Sequence, residues 1–153
     1  MKSSRLFTLL AFLLATNLHA ENTHRDVRIA SPWPAQNTII AMLGYGDNIV
    51  GTSMIAKRLP LFRQGLPRIE NVPVISVNSG HEINPEQVIG LGADMLFIPQ
   101  NIVVPRQDVL KQAGVKILAF EANSLPALTR RVQKTAAELG ADAQIKALAY
   151  QRY

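Results

Sequence analysis

The chain has 153 residues, 48% of them hydrophobic and 18% charged, with 16 Lys and Arg against 11 Asp and Glu and no cysteine. That length fits one ordinary domain with its own core and is short for two. The positive excess is mild and no basic run exceeds the pair Arg130 and Arg131, which argues against a nucleic-acid footprint. The lack of cysteine excludes a disulfide framework, a thiolate zinc site and a thiol nucleophile.

Lys2 and Arg5 precede the apolar run LFTLLAFLLA at residues 6–15, and LHA follows, with the small Ala20 at a cleavage position. This is the pattern of a secretory signal peptide over residues 1–20. The apolar run is about half of the roughly 20 residues that a membrane span requires, so export is expected rather than anchoring. The expected location is a periplasm of the Gram-negative type, with no membrane insertion after the signal is removed.

VRIA at 27–30 reads as a short buried strand ended by Ser31-Pro32, and IVGTS at 49–53 as another. Between them, Ile39, Ile40, Met42 and Leu43 give residues 35–43 an apolar helical face, with Gly44 at the C-cap position. The segment from 54 to 80 carries Pro60, Pro67 and Pro73 and reads as a long irregular excursion.

Asn84-Pro85-Glu86 then opens a helix as N-cap, first-turn proline and acidic second residue. Val88, Ile89 and Leu91 form its apolar face, and the strand DMLFIP follows at 94–99. A further helix with Val109, Leu110 and Ala113 closes at Gly114 and leads into VKILAF at 115–120. Ser124 is the next N-cap, with Leu125, Leu128, Val132 and Ala136 at helical spacing up to Leu139-Gly140. Asp142 caps a last helix carrying Ile145, Leu148, Ala149 and Arg152. Strands alternating with helices through short links predict an α/β lobe, an open parallel sheet of Rossmann-like type flanked by helices.

No motif for chemistry emerges. GYGDNIVG at 44–51 has Ile49 where a dinucleotide fingerprint needs glycine, and it follows a helix, so it reads as a C-cap and a turn. HEINP at 81–85 lacks the second histidine of a zinc-binding helix, and only His24 and His81 remain after signal removal. With no G-x-S-x-G elbow and no phosphate-cradling loop, we expect no catalytic residue, no metal site, no cofactor and no enzyme.

Position in the fold is more informative. In open parallel sheets ligands sit beyond the carboxyl ends of the strands. Here those ends are Ser31-Pro32-Trp33, Ser53-Met54, Gln100-Asn101 and residues 121–123. Trp33, held between Pro32 and Pro34, has a stiffened backbone. Its indole is either a flat contact at a cleft rim or a ring folded back onto the sheet.

Three stretches then resemble the periplasmic substrate-binding proteins of ABC importers for cobalamin, ferric siderophores and haem, whose two lobes are joined by one rigid helix. RIASPWPAQNTIIAMLGYGDNIVGTS at 28–53 is similar to their opening strand, Ser-Pro turn, helix and LGxGDxxVG return, with SPWPAQNT in place of their SPxxTE. ENVPVISVNSGHEINPEQVIGLGADMLFI at 70–98 and LKQAGVKILAFEANSLPALTRRVQKTAAELG at 110–140 resemble the two blocks that follow.

The resemblance implies an N-terminal lobe at 21–140, with residues 141–153 beginning the inter-lobe helix. A second lobe would follow, which makes the chain a truncated or fragmentary member. It also implies a ligand of the metal-chelate or corrinoid type and a permease partner in the inner membrane that is docked through Glu86. Trp33, Met54, Lys57, Arg58, Gln100 and Asn101 are the expected ligand contacts, the two cations suiting an anionic chelate. A lone lobe offers half a cleft, so residues 21–153 are expected to bind such a ligand weakly or not at all. The rival expectation is a secreted sensor or protein-interaction module built on the same lobe, or a non-functional fragment.

Overall fold

A computed structural model describes residues 26–77, 81–122 and 124–141. The signal peptide expected at 1–20, His24, Asn123 and the helix expected from Asp142 lie outside the described residues.

Strand β1 (Ile29–Ala30) leads into helix α1 (Pro34–Met42) and returns as β2 (Ile49–Gly51). After an excursion come β3 (Ser76–Val77) and β4 (Glu82–Ile83), then α4 (Pro85–Gly90) and β5 (Met95–Pro99). Helix α5 (Gln107–Gln112), β6 (Lys116–Phe120) and α6 (Leu125–Leu139) complete the described chain. Among the described residues, the main sheet has four strands in the order β2-β1-β5-β6, each pair parallel, while β3 and β4 pair antiparallel beside it.

The sheet is covered on both faces, which explains the unbroken apolar run of β5. Along β5, Phe97 enters one core while Leu96 and Ile98 enter the other, as the period of two requires. The first core joins Ile29, Phe97, Leu118 and Phe120 to Ile39, Ile40 and Leu43 of α1 and Val132, Ala136 and Leu139 of α6. The second joins Ala30, Leu96 and Ile98 to Val88 of α4 and Leu110 of α5.

Local stereochemistry sets the helix ends as the sequence indicates. Gly44 and Gly114 take φ values of 89° and 84°, the left-handed region that closes a helix without a Cβ clash. Asn84 Oδ1 accepts from the Gln87 amide at 3.1 Å with Pro85 in the first turn. We expect Asn84→Ala to lower stability by about 1 kcal/mol, read as a shift in the urea midpoint.

The stretch from 54 to 77 departs from the irregular excursion expected of it. It forms α2 (Met54–Arg58), α3 (Pro60–Gly65) and a 3-10 turn (Pro67–Asn71). Pro60 and Pro67 start these turns instead of breaking them, because the first helical position has no use for the missing N–H. Ser53 Oγ caps α2 by accepting from the Ala56 amide at 3.2 Å. Ala56, Phe62, Leu66 and Ile69 then bury against the first core.

Candidate functional site

The strand order decides where a ligand can sit. From β1 the chain moves outward to β2, then comes back on the other side of β1 as β5 and β6. The loops therefore diverge beyond the carboxyl ends of β1 and β5, which is where open α/β sheets hold ligands.

A cleft of about 500 Å³ opens at that edge, lined by Gln100, Asn101, Glu121, Ala122 and Ser124. Gln100 and Asn101 directly follow β5, and the Gln100 amide donates to the Phe120 carbonyl at 3.0 Å, holding the two strand ends together. Glu121 and Ala122 follow β6, and Ser124 is the N-cap of α6. Ser124 Oγ accepts from the Ala127 amide at 3.2 Å, which leaves its hydroxyl proton available to a ligand. Glu121 Oε2 lies 3.4 Å from Arg130 Nη2, an exposed pair that puts one charge of each sign at the rim. Such a cleft offers amide donors and acceptors, a hydroxyl and a carboxylate, and its volume is within the range of small-molecule sites. Among the described residues, no group of three or more His, Cys, Asp or Glu is arranged to hold a metal ion.

Of the residues expected from the sequence, Gln100 and Asn101 line the cleft. Trp33, Met54, Lys57 and Arg58 share the sheet edge but lie outside that lining, the last three because they follow β2, which β1 separates from β5. Trp33 is the N-cap of α1, half-buried against the first core, with the Arg131 guanidinium 4.1 Å from its ring centroid. Met54 is 48% exposed at the start of α2. Lys57 Nζ donates to the Val72 carbonyl at 3.0 Å, so its charge is engaged by the backbone, whereas Arg58 is exposed. Glu86, in the first turn of α4 and outside that lining, is exposed and forms an ion pair with Arg106.

Sequence reasoning placed Glu121 and Ala122 at a strand end without giving either a binding role, and it missed the second role of Ser124. It also missed the buried polar seam between α1 and α6. Gln36, Asn37, Arg131 and Thr135 are all buried, and Gln36 Nε2 donates to Thr135 Oγ1 at 2.8 Å. Asn37 Nδ2 donates to Thr52 Oγ1 at 3.0 Å, tying α1 to the end of β2.

This is the α/β fold of periplasmic solute-binding proteins. It superposes on a periplasmic haem-binding protein from Pseudomonas aeruginosa with a TM-score of 0.65 and 21% identity, over 82% of this chain and 43% of that one. The haem-binding protein HutB of Vibrio cholerae matches with a TM-score of 0.65 and 16% identity, over 83% of this chain and 46% of that one. A periplasmic solute-binding protein from Veillonella parvula gives a TM-score of 0.67 and 24% identity, over 84% and 41%. The chain thus spans less than half the length of these structures. No protein-family model matches it. No curated protein matches it either. No helix among the described residues is long and apolar enough to cross a membrane.

Proposed function

We propose that this chain is the first lobe of a periplasmic solute-binding protein that delivers a haem-like or other metal-chelate ligand to an ABC permease. The observation that carries this reading is the cleft at the carboxyl ends of β5 and β6, in a fold shared with periplasmic haem-binding proteins. In this reading residues 1–20 direct export, 21–140 form the lobe and 141–153 begin the connecting helix to a second lobe. Gln100 and Asn101 contact the ligand from the cleft, and Trp33, Met54, Lys57 and Arg58 contact it along the rest of the sheet edge. The protein binds and releases without chemistry.

With a cleft of about 500 Å³ on this one wall of the site, the weak or absent binding expected of half a cleft narrows to weak but saturable binding of haemin by residues 21–153, followed by the shift of its visible absorption band. Cobalamin and a ferric siderophore, titrated in parallel, separate the ligand classes. No saturable binding of any of the three overturns the reading.

Glu86 is the docking residue of this proposal. It is exposed at a helix start, and its pairing with Arg106 is a surface pair worth little, so exchange for a permease arginine is cheap. Glu86→Arg is expected to impair uptake in cells at least several-fold while leaving haemin affinity unchanged. Intact uptake in that variant removes the docking role.

A further inference from the structure

We propose that Arg131 is a positioning residue that clamps the Trp33 indole and so fixes the shape of the ligand edge between β1 and β5. This rests on the reading of that edge as the ligand face. Pro32 and Pro34 stiffen the backbone around Trp33 but leave its side-chain torsions free. Besides its packing against the first core, the ring is held by Arg131, 4.1 Å from the centroid and itself only 5% exposed.

The placement of that guanidinium is built in two steps. Helices α1 and α6 both start at the carboxyl edge of the sheet, after β1 and β6 respectively. Gln36 lies one turn beyond Trp33 on α1, and Thr135 lies one turn beyond Arg131 on α6. The Gln36 to Thr135 hydrogen bond therefore sets the register of the two helices, bringing Arg131 level with Trp33. Thr135 Oγ1 also donates to the Arg131 carbonyl at 2.7 Å, tying the same turn to itself. A helical side chain leans toward its helix N-terminus, which carries the guanidinium toward the sheet edge. A planar cation over an indole face is the favourable arrangement for this pair, and burial strengthens it. The ring remains partly exposed at the edge, stiffened before any ligand arrives.

Trp33 is the one tryptophan in the chain, so tryptophan fluorescence reports the surroundings of this ring alone. In the mature protein, Arg131→Met keeps the stem and removes the cation. Its far-UV circular dichroism should be unchanged, its acrylamide quenching of Trp33 should rise, and its haemin dissociation constant should weaken by about fivefold to tenfold. Arg131→Lys keeps a cation without the planar stack and should fall between the two. It decides the matter if the methionine variant does not fold. A merely structural Arg131 would lower the thermal midpoint and leave quenching of the folded protein as in wild type, which overturns the clamp. Raised quenching with unchanged haemin affinity overturns the role at the ligand edge. Wild-type protein that binds none of haemin, cobalamin and a ferric siderophore removes the proposed function and that ligand role together, while the clamp itself still stands or falls on quenching.

Discussion

Phe97→Ala is expected to cost the fold about 3–5 kcal/mol, read as a large drop in urea midpoint at unchanged slope. Phe97 is fully buried at the centre of β5, the strand that pairs with both β1 and β6. Its ring stacks on Phe120 with centroids 6.2 Å apart and an interplanar angle of 9°. Truncation removes that contact and leaves a void between the sheet and the helices α1 and α6, where close-packed neighbours relax only in part. Leu125→Ala is the control. Its side chain is 79% exposed, and the change should stay within about 0.5 kcal/mol. A Phe97→Ala cost near that of the control would mean that β5 is not the centre of the core.

The contrast between those two residues shows what the sequence reveals and what it hides. The strand Met95–Pro99 is legible because a sheet covered on both faces makes a continuous apolar run. Helix ends at Asn84, Ser124, Gly44 and Gly114 are legible because caps are local stereochemistry. The prolines at 60 and 67 are locally ambiguous, since proline both breaks a helix and begins one. Burial of Phe62, Leu66 and Ile69 against distant strands settles the choice. Arg131 and Thr135 read as the wet face of α6 until α1 is packed against them.

The site divides in the same way. The rule that ligands lie beyond strand ends leads to Gln100 and Asn101, which immediately follow β5. It cannot rank one strand end against another, because the order β2-β1-β5-β6 is a tertiary fact. Met54, Lys57 and Arg58 follow β2 at the far side of β1, so they share the edge and not the cleft. Ala122 carries no chemistry to attract notice, and the capping role of Ser124 conceals its place in the lining.

Ala122→Trp is the substitution expected to act most strongly on ligand binding. Ala122 lies between the end of β6 and the cap of α6, in the lining of the cleft. An indole there occupies space between Gln100 and Ser124 that a ligand would need, and a surface loop accommodates it without disturbing either core. Haemin affinity should fall by about tenfold or more, while the urea midpoint moves by no more than about 0.5 kcal/mol in equivalent stability. Visible absorption is the readout, since a second tryptophan obscures the Trp33 signal. Ala122→Ser adds one oxygen and leaves the cleft open, so its affinity should match wild type. If Ala122→Trp also binds as wild type does, the β5 and β6 ends are not the ligand wall. Binding would then fall to Trp33, Met54 and Arg58 beyond β1 and β2, and the Arg131 variants would still change affinity while the blocked cleft did not.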